Sequence, residues 1–169
     1  MDLEFFTNKM AEHAGTIHSL TLGISEEQAR WKPAPESWSI LEVINHLYDE
    51  EREDFRVRVE YILYHPGQPW PPINPQGWVT ERGYNQRDLA ESVEDFLKER
   101  RKSLAWLRGL AAPDWQAAVT VPFGRFSAGD IFAAWAAHDL LHLRQLVELH
   151  WAYTLKMAEP FKVNYAGEW

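Results

Sequence analysis

Apolar residues recur at steps of three and four from residue 2 to about 22, where Leu3, Phe6, Met10, Ala14, Ile17 and Leu20 share one side, and this predicts a first helix. "SEEQ", residues 25 to 28, is a Ser-x-x-Gln capping box followed soon by "KPAP", which reads as one short helical turn inside a connector. A second capping box, "SILE" at residues 39 to 42, opens a second helix: Ser39 accepts from the amide three residues on, and Glu42 reaches back to the cap. That helix is predicted to run to about Tyr64. From His65 to Gln86 the pattern breaks, because five of the ten prolines and three glycines fall there and exclude a regular helix. A structureless connection of this length is uncommon in a compact domain and is often functional.

Asn85 and Asp88 are the candidate caps of a third helix, through Leu89, Val93, Phe96, Leu97, Leu104 and Leu107 to about Leu110. "VTVPFGRF" alternates briefly around a proline and a glycine and predicts an extended or hairpin-like connector. Ser127 caps a fourth helix, with Asp130 favoured in its first turn by the helix dipole. This helix is predicted to reach about residue 154. Phe132, Ala136, Leu140, Leu143 and Val147 make it apolar almost all round, so it should run through the middle of the molecule. The tail "EPFKVNYAGEW" is aromatic enough to dock on the body. Four long helices, short links and one long Pro-rich crossover between the second and third define an all-α four-helix bundle, a single domain over residues 1–169.

Composition narrows the chemistry. Aromatics at 14 % with nine tryptophans mark a chain that buries a core rather than a disordered one. A net charge of −8 opposes nucleic-acid binding. Without cysteine there is no disulfide, thiolate metal site or cysteine nucleophile, so a bound metal must use His, Asp or Glu. Acidic residues stand near the N-terminus where a signal peptide needs basic ones, and no run approaches about 18 apolar residues, so no membrane span and a cytoplasmic location are expected.

"HDLLHLRQL", residues 138 to 146, carries the chemistry. With His138 at zero on a helical wheel, His142 falls near about 40° and Gln145 near about −20°, so all three face one way. Residues four apart on a helix have Cβ atoms about 5–6 Å from each other, which lets two imidazoles share one ion or, equally, sit as two core histidines bonded to neighbours. A third ligand has to come from another helix, and the second offers His46. It lies roughly 160° from Ile44 on the main apolar stripe. Either it is a surface residue, or its face is also covered and lines a polar cleft, with Glu50 one turn on as a further ligand or base. Asp49, Glu50 and Glu51 together also fit a solvated acidic patch. His13, His18, His65 and His150 read as ordinary residues.

Taken together, "WKPAPESWSILEVINHL" and "HDLLHLRQL" resemble the DinB-like superfamily, the DinB and YfiT-like metalloenzymes. The shared features fall on Trp31, Pro33, Trp38, Ser39, His46, His138, His142, Arg144 and Gln145, and the resemblance spans almost the whole chain. It implies an up-down-down-up bundle and a three-histidine site, His46, His138 and His142, for a divalent ion such as nickel, zinc or iron. It also implies a homodimer. Relatives include transferases using bacillithiol, mycothiol or glutathione, a maleylpyruvate isomerase and hydrolases. Three imidazoles would leave open positions on the ion, the catalytic rather than the closed pattern. A low-molecular-weight thiol would enter as cosubstrate to a small-molecule substrate, with Glu50 or Asp49 as base or outer partner and Gln145 orienting a bound group. The competing classes are a metalloprotease, since "HDLLH" approximates H-E-x-x-H, and a non-catalytic metal-binding or interaction bundle.

Overall fold

The computed structural model describes residues 1–167. Its long elements are α1 (Leu3–Thr21), a second helix made of α3 (Ile40–Asp49) and α4 (Arg56–Tyr64), α6 (Leu89–Arg108) and α7 (Ala128–Ala158). Short α2 (Glu26–Arg30) lies in the first connector and α5 (Pro75–Glu81) in the crossover. Strands β1 (Ala118–Val121) and β2 (Gly124–Ser127) pair as an antiparallel hairpin just before α7, where the alternating sequence placed an extended connector.

Local chemistry starts the helices where expected. The boxes at Ser39/Glu42 and Ser127/Asp130 are both closed in the two directions. Asp88, not Asn85, caps α6, accepting from the Glu91 amide at 2.9 Å. Asn85 instead ties the crossover down, accepting from Ser39 Oγ at 2.7 Å and donating to the Arg30 carbonyl at 3.1 Å. The crossover is less irregular than its prolines suggest, because Pro75 stands at the start of α5, where a missing N–H costs nothing, and Asn74 caps it. Between α3 and α4 the helix widens into a π segment, Glu50–Phe55, without a break in the chain direction. Such segments recur at functional sites.

Side-chain pairs fix the topology. Phe6 meets Phe132, His13 meets Asp139 and His150 meets Leu20, so α1 and α7 run parallel. Asn45 bonds Ser92, Glu51 bonds Arg100 and Arg56 bonds Ser103, so the second helix and α6 also run parallel. The path is therefore up-down-down-up, and parallel neighbours require the long crossover. Two apolar layers fill the ends: Ile17, Leu41, Ile44, Phe96 and Leu146 in one, Met10, Val59, Leu107, Phe132 and Trp135 in the other. Between them lies a polar waist. None of the helices among the described residues is long and apolar enough to cross a membrane.

One expectation about burial fails. The helix buried all round is α3, on which residues 40 to 47 are all buried, whereas α7 leaves Leu140 at 55 % and Leu141 at 57 % exposure. A wheel sees only its own helix. Beyond α6 and α7, α3 is covered by α2, α5 and the turn around Tyr84. The tail also differs from expectation: Phe161 and Tyr165 stand in solvent, and Glu168 and Trp169 lie outside the described residues.

Candidate metal centre

The H-x3-H pair sits on α7 where that helix crosses α3, antiparallel to it, at the polar waist. His142 Nε2 lies 3.1 Å from His138 Nε2, and His46 Nε2 lies 3.4 Å from the same atom. The three ligand atoms all fall within 4.8 Å of one another. Two nitrogens bound to one ion at about 2.0–2.1 Å with tetrahedral angles stand roughly 3.3–3.4 Å apart, so the spacing suits a shared cation. His46 is buried, not a surface residue.

Electrostatics agree with the spacing. Burial, then the neighbouring His142 and His138, pushes His46 down to about 2. Burial and His142 push His138 down to about 3, and burial lowers His142 despite the opposing hydrogen bond of Gln145. All three are neutral at pH 7, the state a metal requires. Gln145 Oε1 accepts from His142 Nδ1–H at 2.8 Å, which leaves the Nε2 lone pair facing the cluster. Imidazole nitrogens this close repel unless a cation or a proton lies between them.

Behind His46, its Nδ1 and Glu50 Oε1 are buried with no hydrogen-bond partner among the described residues and stand 3.9 Å apart. Burial, helped by Asp54 and Asp49, raises the Glu50 carboxyl to about 8. Glu50 thus faces the Nδ1 side of His46, away from the Nε2 atom that approaches His138. Asp49 is turned elsewhere. It accepts from the Tyr84 hydroxyl, from Arg82 at 2.6 Å and from Arg52 at 2.9 Å, clamping the crossover onto α3. The acidic trio is not a solvated patch: Asp49, Glu50 and Glu51 are all buried.

Sequence reasoning missed the framework under the site. Arg100 donates from Nε and Nη2 to Glu51 at 2.8 and 2.9 Å, from Nη1 and Nη2 to Asp139 at 2.6 and 2.7 Å, and from Nη1 to the Met10 carbonyl at 3.0 Å. These account for its five N–H donors. Trp135 Nε1 also donates to Glu51 at 2.9 Å. Each carboxylate adjoins the cluster in sequence, Glu51 after Glu50 and Asp139 after His138, so the network sets the register between the two histidine-bearing helices. The signal was present: Arg100 fills the gap between Phe96 and Leu104 in an apolar stripe. The Asp139 carboxylate is engaged by Arg100 and not by His138 or His142, which leaves the H-x3-H pair without the base a zincin would need. His13 supports the same network through Asp139 at 3.3 Å, and His150 is a packing residue held by the Leu20 carbonyl at 2.7 Å.

Aromatic rings wall the cluster. Trp38 lies parallel to His142 at 6.4 Å and packs with the crossover residue Trp78, while Phe55 lies 5.0 Å from His138 on the other side. Gln145 and Trp38 edge a cavity of about 510 Å³. Phe55 lines a larger one of about 900 Å³, which the other crossover tryptophan, Trp70, helps to form.

The paired α1–α7 and second helix–α6 arrangement with three converging imidazoles defines the class. The DinB superfamily model matches residues 10–146, a stretch that contains His46, His138 and His142, and this chain belongs to the DinB superfamily. Its fold is similar to that of YfiT from Bacillus subtilis, with a TM-score of 0.77 at 15 % identity, over 87 % of this chain and 85 % of that one. YfiT is described as a probable metal-dependent hydrolase with an unusual four-helix bundle topology. No curated protein matches the chain significantly.

The charge states give a signed prediction for the metal-free protein. The histidines hold folded values below their ordinary 6.5, so stability is full above 6.5 and is lost as pH falls toward about 3 and 2. Glu50 is raised from 4.5 to about 8, so its contribution is full below 4.5 and is lost as pH rises through 8. Each proton taken up or released contributes about 1.4 kcal/mol per pH unit. Three histidines outweigh one carboxyl on the acid side, so urea midpoints at pH 5.5, 7 and 8.5 are expected to peak near neutrality. Glu50→Gln is expected to remove the alkaline decline.

Proposed function

We propose that the chain binds one divalent ion through Nε2 of His46, His138 and His142 and acts as a metal-dependent enzyme on a small molecule, by hydrolysis or by transfer of a low-molecular-weight thiol. The convergence of three buried, neutral imidazoles carries this reading, and the description of YfiT supports the hydrolytic branch. Imidazole donors suit zinc, nickel and iron. An ion so held, with positions open, lowers the pKa of water or a thiol and polarises a carbonyl.

The chain's own residues then have distinct tasks. Gln145 fixes the tautomer and direction of His142, and Glu50 does the same for His46 once the 3.9 Å gap closes to a hydrogen bond. Trp38 and Phe55 keep bulk water from the ligand side, which strengthens every charge interaction there. Having no cysteine, the protein supplies no thiol itself.

Protein loaded with zinc, nickel or iron is expected to turn over either a p-nitrophenyl ester or glutathione with an aryl chloride, and His46→Ala is expected to lose that turnover. Loading that raises only the melting temperature, with neither reaction, would instead describe a non-catalytic metal-binding bundle.

A further inference from the structure

We propose that the 900 Å³ chamber beside Phe55 is a binding site for a small monocarboxylate with an aromatic or alkyl body, and that Arg58 holds its carboxylate. The chamber lies between the crossover and the β1–β2 hairpin, with Trp70, Ile73, Val121, Phe123 and Phe126 among its walls. Its volume falls within the roughly 300–1,000 Å³ of small-molecule sites. Apolar walls of this kind take a flat or branched hydrocarbon body and give it no orientation. Orientation has to come from the charged lining residues, which are Asp54 and Arg58.

Arg58 is only 7 % exposed. Its Nε donates to Asp54 Oδ1 at 2.8 Å, and its guanidinium lies over the Trp70 ring at 4.6 Å. Nη1 is buried and has no partner among the described residues. A buried guanidinium N–H without an acceptor is costly, and an unsatisfied group of this kind calls for an explanation. Here the orphan belongs to a side chain that lines a cavity, its Nε is already anchored on Asp54, and the Trp70 ring lies against the guanidinium. That is a preorganised receptor for a planar two-oxygen acceptor. Asp54 limits the charge: its pair with Arg58 is already neutral, so a monoanion adds one negative charge near the Asp54 carboxylate and a phosphate dianion would add two.

The chamber also adjoins the cluster. His46, Glu50, Asp54 and Arg58 follow at intervals of four residues, and Phe55 forms a wall of the chamber while lying 5.0 Å from His138. As the substrate subsite of the metal centre, the chamber rests on the function proposed above; as a carboxylate site it stands without metal.

The test is calorimetric titration of metal-free protein with 4-phenylbutyrate and with 4-phenylbutanamide, its uncharged counterpart. The acid is expected to bind wild type at least about ten-fold tighter than the amide, since only the acid gives Arg58 a charged acceptor. Arg58→Gln is expected to erase that preference while still binding the amide, and Arg58→Lys to retain part of it. Val121→Trp, which fills the chamber, is expected to abolish binding of both. His142→Ala is expected to bind the acid as wild type does, which separates this site from the metal assignment. Equal binding of acid and amide by wild type, no binding of either up to about 20 mM, or a preference that survives in Arg58→Gln would overturn the proposal.

Discussion

Arg100→Leu is expected to destabilise the protein by about 3–5 kcal/mol, because it leaves two buried carboxylates facing an apolar side chain. Burial alone pushes Asp139 upward, and the charge and hydrogen bonds of Arg100 more than reverse this, so the acid is held below its ordinary value. At about 2–4 °C per kcal/mol for a chain of this size, the melting temperature should fall by roughly 6–20 °C. Arg100→Lys should recover little of the loss. An ammonium has three donors on one atom and cannot fork two carboxylates and a carbonyl at once. Circular dichroism melts of the three proteins decide the point, and wild-type stability in the lysine variant would show that the network is worth no more than a surface pair.

The second large effect concerns metal affinity. Removing one of three ligands is expected to weaken zinc binding by more than about 100-fold, beyond the 10- to 100-fold typical of outer-partner changes. His46→Ala, His138→Ala and His142→Ala belong in the first class, and Glu50→Gln and Gln145→Ala in the second. Competition titration against a chromophoric chelator reads both. Saturating metal adds stability as RT ln(1 + [L]/Kd), about 4 kcal/mol at a thousand-fold excess over Kd, and single ligand variants should lose most of it. If Glu50→Gln weakened binding as much as His46→Ala, Glu50 would be a ligand and not the residue behind one.

The difference between what the sequence revealed and what it concealed follows from the range of the interactions. Ser39 with Glu42 and Ser127 with Asp130 act within one turn, so helix starts could be read directly. The crossover was visible in its prolines, and the parallel pairing it permits agreed with the resemblance carried by His46, His138 and His142. The π segment at Glu50–Phe55 was not legible, since nothing in "EEREDF" distinguishes a widened turn from an ordinary one. Nor was the burial of His46, because the rings packed against it, Trp38 from the connector and His138 and His142 from α7, meet it only in the folded bundle. Asp49 and Glu50, adjacent in sequence, received opposite tasks for the same reason: one meets Arg82 and Tyr84 from the crossover, the other backs a histidine. Arg100 was readable as a charge inside an apolar stripe, but its partners become apparent only when three helices are packed.

Elemental analysis of protein purified without a histidine tag, wild type beside His142→Ala, tests the convergence of the three imidazoles most directly. The expected result is close to one zinc, nickel or iron per wild-type chain and almost none in the variant, with both chains folded. Equal metal in the two proteins, or none in wild type after incubation with each ion, would contradict the assignment of His46, His138 and His142 as a metal centre.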